Sequence, residues 1–158
     1  MEFIKANDIM EIKKTTPNDI ENLMEIRLEM LRVVNNLNDG EIFSDKLIEC
    51  SREYFLHGDQ TTVFAMDGDK IAGCATLSYI TIMPTFDHPT GKRAHLMNVY
   101  TREAFRRRGV GRQMVQFLID EAKSRGVTEI SLDATQMGHP LYKSLGFNDN
   151  SEGMNLSI

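Results

Sequence analysis

The strongest constraint on the fold is a helical pattern at residues 109–125 that lies between two strand patterns. Its apolar side chains share one helix face. They are Val110, Met114, Phe117, Leu118 and Ala122. Gly126 follows where helices commonly end in a left-handed residue. Because strand-forming segments at 94–101 and 127–134 stand on either side, the sequence predicts a strand–helix–strand crossover whose two strands are parallel.

Other patterns add elements before and after this crossover. Strands are predicted at 9–14, 62–66, 70–81 and 147–158. Helices are predicted after the start signal at 16–19, over 44–56 and over 139–145. The resulting order, β-α-α-β-β-β-α-β-α-β, is typical of an α/β fold with a central mixed sheet and helices on both faces.

Length and composition indicate one globular domain. The chain has 158 residues, of which 41% are hydrophobic and 26% charged, both near the globular average. We expect a single domain over 9–158, preceded by residues 1–8, which carry little pattern and are interpreted as a disordered extension. No signal-peptide pattern or membrane-length apolar run is present, so a cytoplasmic location without a membrane partner is expected.

Charge and metal-binding residue types exclude further function classes. The net charge of −5 argues against general nucleic-acid binding, which needs a basic surface to neutralise phosphates. Cys50 and Cys74 form no disulfide framework or zinc motif, and the four histidines lack metal-binding spacing. We therefore predict two reduced thiols and no metal site.

A dense basic run stands between the predicted strand at 94–101 and the following helix. Five of the 18 basic residues fall within positions 102–112. The run itself consists of Arg106, Arg107, Arg108, Gly109, Val110, Gly111 and Arg112. Glycines let backbone N–H groups turn toward one point, and a helix N-terminus adds a positive dipole. The pattern favours a phosphate-binding cradle over a solvated basic loop.

Two familiar phosphate motifs do not match. The dinucleotide pattern GxGxxG fails because position 114 is Met, and residues 101–108 separate the strand from the first glycine. The Gly-Lys-Ser/Thr of a nucleoside-triphosphate loop is absent. Dinucleotide and nucleoside-triphosphate ligands are therefore weak interpretations of the cradle.

Two segments together resemble the GNAT N-acetyltransferase superfamily. Arg106-x-x-Gly109-x-Gly111 fits that family's Arg/Gln-x-x-Gly-x-Gly/Ala signature, and Phe105 supplies the aromatic residue that often precedes it. Leu-Tyr-Lys-Ser-Leu-Gly-Phe at 141–147 resembles the family's LYxxxGF segment. The predicted element order also agrees with that fold. The resemblance covers about residues 9–158.

The resemblance implies acetyl-CoA as co-substrate, held between two parallel strands that splay apart. The pyrophosphate would take backbone N–H groups of the cradle, and the pantetheine arm would pair with the strand edge at Val99, Tyr100 and Thr101. The N–H of Val99 would polarise the thioester carbonyl, an oxyanion-hole device. An amine would attack directly without an acyl-enzyme, and Tyr142 would protonate the leaving thiolate.

The sequence departs from the family pattern at two positions. Where the family often has an asparagine that bonds pantetheine, seven residues before the tyrosine, this chain has Thr135. Position 107 is Arg where Gly is frequent, and its guanidinium is a candidate partner for the adenosine 3′-phosphate.

The general base is open among several polar residues. His95 lies in the predicted strand at 94–101 and, by period two, shares a side with Met97 and Val99. Imidazole changes protonation near neutral pH, which suits a base, yet a packed strand histidine is an equal interpretation. Asn98 is a candidate for orienting substrate or water. Glu29 on the first helix is a weaker candidate.

The acceptor amine is not specified by the sequence. Met24, Met30 and Met97 are candidates for lining a pliable pocket. The segments 34–43 and 83–93 hold Asp39, Glu41, Asp87 and His88, which would suit a cationic amine. Polyamine, amino acid, aminoglycoside and peptide N-terminus all stay open.

Two alternatives to acetyl transfer also stay open. A non-enzymatic CoA-binding or sensing domain would keep the cradle without needing Tyr142, and transfer of a longer acyl group would depend on pocket size. A homodimer is a mild expectation from the family.

Overall fold

The computed structural model describes residues 9–158, which form five strands and four α-helices. The strands are β1 (Glu11–Lys14), β2 (Gln60–Asp67), β3 (Lys70–Thr81), β4 (Lys92–Thr101) and β5 (Glu129–Leu132). The helices are α1 (Ile20–Val34), α2 (Asp45–His57), α3 (Val110–Ser124) and α4 (His139–Ser144). The predicted extension at residues 1–8 lies outside the described residues.

One sheet connects all five strands in the order β1-β2-β3-β4-β5. The first four strands pair antiparallel, whereas β4 and β5 pair parallel across the α3 crossover. The prediction of a mixed sheet containing one parallel crossover is therefore confirmed.

Helices cover both faces of the sheet, as the sequence predicts. On one face, α3 packs Val110, Met114 and Leu118 against inward residues of β2, β3 and β4. On the other face, α1 buries Leu23 and Ile26, and α2 adds Phe55. Because strand side chains alternate in direction, the central strands supply apolar groups to both layers.

Local signals explain most of the element boundaries. The Ser44 hydroxyl accepts a hydrogen bond from the N–H of Leu47 and caps α2. The Thr16 and Asp19 side chains form a reciprocal capping box at the short 3-10 turn Pro17–Asp19 that leads into α1. Gly126, at φ +76°, follows the C-terminal end of α3.

The predicted last strand at 147–158 is wrong, because no described residue of that segment is in a strand. The Asp149 carboxylate instead accepts a 2.7 Å hydrogen bond from His139 Nε2 and lies 3.5 Å from Lys143 Nζ, so the chain returns to α4. These contacts, with that of His139 the larger, lower the pKa of Asp149. The polar segment 148–153 is exposed and offers no apolar face to the sheet.

No helix within 9–158 is long and apolar enough to cross a membrane.

Candidate active site

The edge of β4 is unpaired beyond the point where β5 leaves it. Pairing between the two strands runs from Arg93 opposite Glu129 to Leu96 opposite Leu132, where β5 ends. β4 itself continues to Thr101. The backbone beyond Leu96 therefore faces a gap between diverging strands, where an extended ligand can add like a further strand.

A β-bulge lies in β4 beside this gap. Met97 pairs with Thr76 and Tyr100 with Cys74, so two residues, Asn98 and Val99, stand opposite the single residue between them. Asn98 adopts φ +58°, in the left-handed region. The bulge turns the backbone of β4 at the start of the unpaired edge.

The bulge also overturns the expectation that His95, Met97 and Val99 share one side. Met97 faces the α1/α2 layer, where its sulfur lies 3.8 Å from Ser78 Oγ. Val99 packs against the core cluster of the α3 layer instead. The extra residue of the bulge shifts the alternation by one position, so side chains after Asn98 exchange faces.

The basic run forms a tight turn into α3. Arg107 at φ +64° and Gly109 at φ +71° both adopt left-handed conformations, and α3 begins at Val110. The first N–H groups of a helix have no partner within the helix, so the donors of this turn and first helical turn converge outside the N-terminus. The turn thus has the left-handed residues and the helix start that an anion cradle needs, and anion binding there stays a prediction.

The arginine side chains of the cradle take different positions. Arg106 Nε donates to the carbonyl oxygen of Thr101 at 3.0 Å, and Arg112 donates to Ser144 Oγ at 2.6 Å. Arg108 stacks 5.6 Å from the ring centre of Phe105, and Arg107 is exposed. Arg106 and Arg112 therefore brace the cradle against β4 and α4.

Gly111 has space for a side chain that the fold itself leaves open. A Cβ built there would lie 3.6 Å from Leu141 Cδ2 and 3.9 Å from Thr101 Oγ1, both ordinary contact distances. The end of β4, the cradle and α4 thus meet around this one glycine. Protein packing does not demand glycine here, and the absence of a side chain leaves the backbone open to close approach by a ligand.

Tyr142 lies half-buried on α4. Its ring packs against the α3-side core and meets Phe147 edge-on at 5.8 Å between ring centres. Burial raises the pKa of its phenol above the usual value of 10.0. Within residues 9–158 the Tyr142 hydroxyl has no hydrogen-bond partner, so it is available to donate to a ligand.

Thr135 organises the loop that leads into α4. Its Oγ1 accepts the N–H of Gly138 at 3.1 Å, and its carbonyl oxygen accepts from Gly138 and His139. The hydroxyl hydrogen stays available, because Oγ1 acts only as acceptor in that contact.

His95 lies near the end of the paired part of β4 and β5, just before the two strands diverge. Its Nδ1 is 2.8 Å from Ser131 Oγ, and its Nε2 is 3.8 Å from Asp133 Oδ2. Ser131 Oγ also lies 3.5 Å from the carbonyl oxygen of Ala94, which can only accept. When the serine donates to that carbonyl, it accepts from Nδ1–H, and the tautomer leaves the Nε2 lone pair free for a proton.

Glu29 is engaged in a structural clamp. Its carboxylate accepts hydrogen bonds from Arg102 at 2.8 Å and from the Tyr100 hydroxyl at 2.9 Å. Burial, followed by the contact with Glu29, raises the pKa of Tyr100. The pair ties α1 to the end of β4, so this carboxylate is occupied rather than directed at the gap.

A cavity of about 220 Å³ lies between α1, α2 and the bulge. Its lining residues are Arg27, Cys50, Ser51, Tyr54, Phe55, Thr76, Met97 and Asn98. Of the three methionines expected to line an acceptor pocket, Met97 does, whereas Met24 and Met30 are buried in the core beneath α1. A larger hollow of about 410 Å³ lies by the β2–β3 turn at Lys70. Of these two cavities, only the smaller one borders the bulge, so we take it as the candidate site for an acceptor.

Sequence reasoning missed Arg27, the charged side chain of this cavity. Its NH1 donates to Asn98 Oδ1 at 3.1 Å, and Asn98 Nδ2 donates to Thr76 Oγ1 at 3.2 Å. The sequence did contain a signal, because Arg27 lies between Leu23 and Met30 in the apolar stripe of α1, where a charged side chain is unusual.

Comparisons with known proteins agree with this geometry. The family model described as Acetyltransferase (GNAT) family matches residues 20–147. The chain is 27% identical over 124 residues to the glucosamine 6-phosphate N-acetyltransferase of Arabidopsis thaliana, a match spanning 78% of this chain and 80% of that protein.

Solved structures give the same result. A predicted acetyltransferase from Clostridium acetobutylicum, crystallised with acetyl-CoA, superposes with a TM-score of 0.81 at 27% identity over 94% of this chain and 96% of that one. A GCN5-related N-acetyltransferase from Ralstonia eutropha JMP134 superposes with a TM-score of 0.78 at 25% identity, over 95% and 99% of the two chains. The chain therefore belongs to the acetyltransferase (GNAT) family.

Proposed function

We propose that the protein transfers the acetyl group of acetyl-CoA to a primary amine by direct attack within a ternary complex. The observation that carries this proposal is the unpaired edge of β4, which has the anion cradle at one end and a cavity at its bulge. One ligand with a pyrophosphate at the cradle and an extended arm along Val99–Thr101 would bring its thioester to the bulge. An amine in the cavity would then meet that thioester.

The cradle supports the binding half of the proposal. Backbone donors from Arg107 to Arg112 would bind the pyrophosphate, and the exposed Arg107 would reach the adenosine 3′-phosphate. Thr135 would contact the pantetheine through its remaining donor. Gly111 lets phosphate oxygens approach the backbone closely.

The chemical step needs a group that polarises the thioester carbonyl, a general base for the amine and a general acid for the thiolate. The amine nitrogen bonds to the carbonyl carbon while the N–H of Val99 stabilises the oxyanion. The carbon–sulfur bond then breaks as Tyr142 gives its proton to the thiolate. Since burial raises the pKa of Tyr142, its phenol is protonated at neutral pH and can donate. His95 takes one proton of the incoming ammonium before the attack. The nitrogen loses its second proton as the amide forms, and that proton restores the Tyr142 phenol. Asn98 forms the cavity wall beside the reacting atoms.

Two relatives of this chain are N-acetyltransferases with a named acceptor amine. One relative is a glucosamine 6-phosphate N-acetyltransferase. A Salmonella typhimurium protein, 41% identical over 59 residues that span 35% of this chain and 40% of that protein, is an N-acetyltransferase that acts on an alanine of ribosomal protein bS18. Both names describe transfer to an amino compound, which supports the reaction class proposed here.

The direct test is an acceptor panel with acetyl-CoA, read as release of free thiol. The panel holds spermidine, glucosamine 6-phosphate, an aminoglycoside, free amino acids and a short peptide. We expect thiol release that depends on one class of amine, with intersecting initial-rate lines when both substrates are varied. Parallel lines with an acetylated protein intermediate would contradict direct transfer.

Tyr142→Phe tests the acid. The variant keeps the ring against Phe147 and removes only the proton, so we expect kcat to fall by about 10²–10⁴-fold. Acetyl-CoA affinity and Tm should be nearly unchanged. Tyr79→Phe is the matched control, because its hydroxyl bonds Thr61 Oγ1 at 2.9 Å, away from the cradle. A Tyr142→Phe variant with kcat within about threefold of wild type would remove Tyr142 from the mechanism.

A further inference from the structure

Arg27 carries a half-buried positive charge that is not matched by an acid. Four other arginines of the described chain lie against carboxylates: Arg52 with Glu21, Arg93 with Glu129, Arg102 with Glu29 and Arg125 with Asp59. Arg32, Arg106 and Arg112 donate to carbonyl or hydroxyl oxygens at exposed contacts. Arg27 makes one part-buried hydrogen bond, to the neutral amide oxygen of Asn98, and no carboxylate of residues 9–158 lies within 4.0 Å of it. Burial lowers the pKa of its guanidinium.

An unmatched, partly desolvated charge lowers the stability of a fold, so its retention needs another reason. The charge faces the 220 Å³ cavity, whose walls include Phe55 and Met97 and which holds no other charged side chain among the residues described. A cavity with apolar walls and one convergent charge is typical of a small-ligand site. The missing counter-ion is thus expected on the ligand.

We propose, building on the acetyl transfer proposed above, that the acceptor is a small amino acid with an apolar side chain whose carboxylate pairs with Arg27. The planar guanidinium matches a carboxylate through two parallel hydrogen bonds. Phe55 and Met97 then contact the apolar part of the acceptor.

The position of Arg27 sets the spacing between the acid and the amine. Its NH1 lies 3.1 Å from Asn98, and Asn98 directly precedes Val99, the proposed donor to the thioester oxygen. A carboxylate bound by Arg27 would therefore lie close to an amine that attacks beside Val99. An α-amino acid has this spacing, and the cavity volume is below the usual range for drug-sized ligands.

The same charge argues against the other acceptor classes. A polyamine would be repelled by Arg27, and the acidic residues Asp39, Glu41 and Asp87 do not line the cavity. A phosphate dianion carries more charge than one guanidinium balances. The cavity therefore favours a monoanionic carboxylate over both the cationic amine that the loops suggest and an amino-sugar phosphate.

The test compares matched acceptors with the full-length protein and acetyl-CoA. L-Alanine, L-leucine and L-methionine are each measured against the corresponding amide, together with isopentylamine and the aminophosphonate analogue of leucine. We expect the best acid to exceed its amide in kcat/KM by about 10- to 100-fold, the range for a charged hydrogen-bonded pair. Arg27→Gln, which keeps a donor for Asn98, should remove this advantage, so that the acid and its amide are turned over with similar kcat/KM.

Arg52→Gln is the control, because it removes the same charge from α2 at an exposed ion pair with Glu21. It should leave the acid-to-amide ratio unchanged. A merely structural Arg27 would change turnover of acids and amides alike, so an unchanged ratio in Arg27→Gln would overturn the proposal. Preference for the aminophosphonate, the amides or isopentylamine over the free acids would also overturn it.

A binding measurement separates this inference from the proposed activity. Calorimetric titration of the CoA-bound protein with N-acetyl-L-leucine and with N-acetyl-L-leucinamide needs no turnover. Tighter binding of the acid, lost in Arg27→Gln, supports the carboxylate site even if no acceptor in the panel is acetylated, a result that would count against the transferase proposal alone. Equal binding of the two products overturns the carboxylate site whether or not transfer is seen.

Discussion

Replacing Gly111 with alanine should lower the affinity of the protein for acetyl-CoA without lowering its stability. The new Cβ would meet Leu141 at 3.6 Å and Thr101 at 3.9 Å, so the folded chain accepts it without displacement. Gly111 is the second residue of α3, and alanine in a helix is favoured over glycine by about 0.5–1 kcal/mol. Tm should therefore stay unchanged or rise by about 1–4 °C.

Affinity should fall because the methyl group occupies the space that phosphate oxygens need at the cradle. Loss of one charge-assisted hydrogen bond costs about 1.5–3 kcal/mol, which corresponds to about a 10- to 100-fold increase in Kd. Calorimetric titration of acetyl-CoA gives the Kd, and a thermal melt without ligand gives Tm. Gly40→Ala is the control, because nothing lies within 4 Å of its added Cβ and it is remote in sequence from the cradle. An unchanged Kd for Gly111→Ala would refute the assignment of the pyrophosphate to this turn.

Two further substitutions test the clamp and the base. Glu29→Gln should lower the free energy of unfolding by about 1–2 kcal/mol in urea titrations, because Arg102 and Tyr100 lose a charged partner and the pair is partly exposed. Turnover per folded molecule should persist, and a large loss of kcat would indicate that Glu29 acts as the general base. His95→Asn should lower kcat by about 10²–10⁴-fold near neutral pH. This loss of kcat should become smaller as pH rises, because a growing fraction of the acceptor amine is already deprotonated. A loss of kcat that is constant with pH would contradict the role of His95 as the base.

The family, the mixed sheet and the acyltransferase class could be predicted because their signals are local. The apolar stripe of α3, its flanking strands and Gly126 lie within one continuous segment, so periodicity alone defines the crossover. The cradle is likewise contiguous, and its left-handed residues Arg107 and Gly109 lie within the predicted run. Family motifs at the cradle and at Tyr142 then gave the expectation of acetyl-CoA.

The features that sequence reasoning missed depend on contacts between distant segments. The β4 bulge arises from pairing with β3, so strict alternation wrongly placed Val99 beside Met97. The predicted last strand failed because Asp149 bonds back to His139, a contact that a strand pattern does not encode. The apolar stripe of α1 marks Arg27 as unusual, but the packing of α1 over the bulge is what shows its hydrogen bond to Asn98 and its place in the cavity.

The most direct test of the account measures two products in one reaction. The full-length protein is incubated with acetyl-CoA and the best amine of the panel, and free CoA is quantified by thiol reagent while the acetylated amine is quantified by mass spectrometry. The account predicts equal amounts of the two products, formed only when both substrates are present, with the rate lost in Tyr142→Phe. Acetyl-CoA that binds without forming acetylated amine, or CoA release that does not depend on any amine, would contradict acetyl transfer at this site.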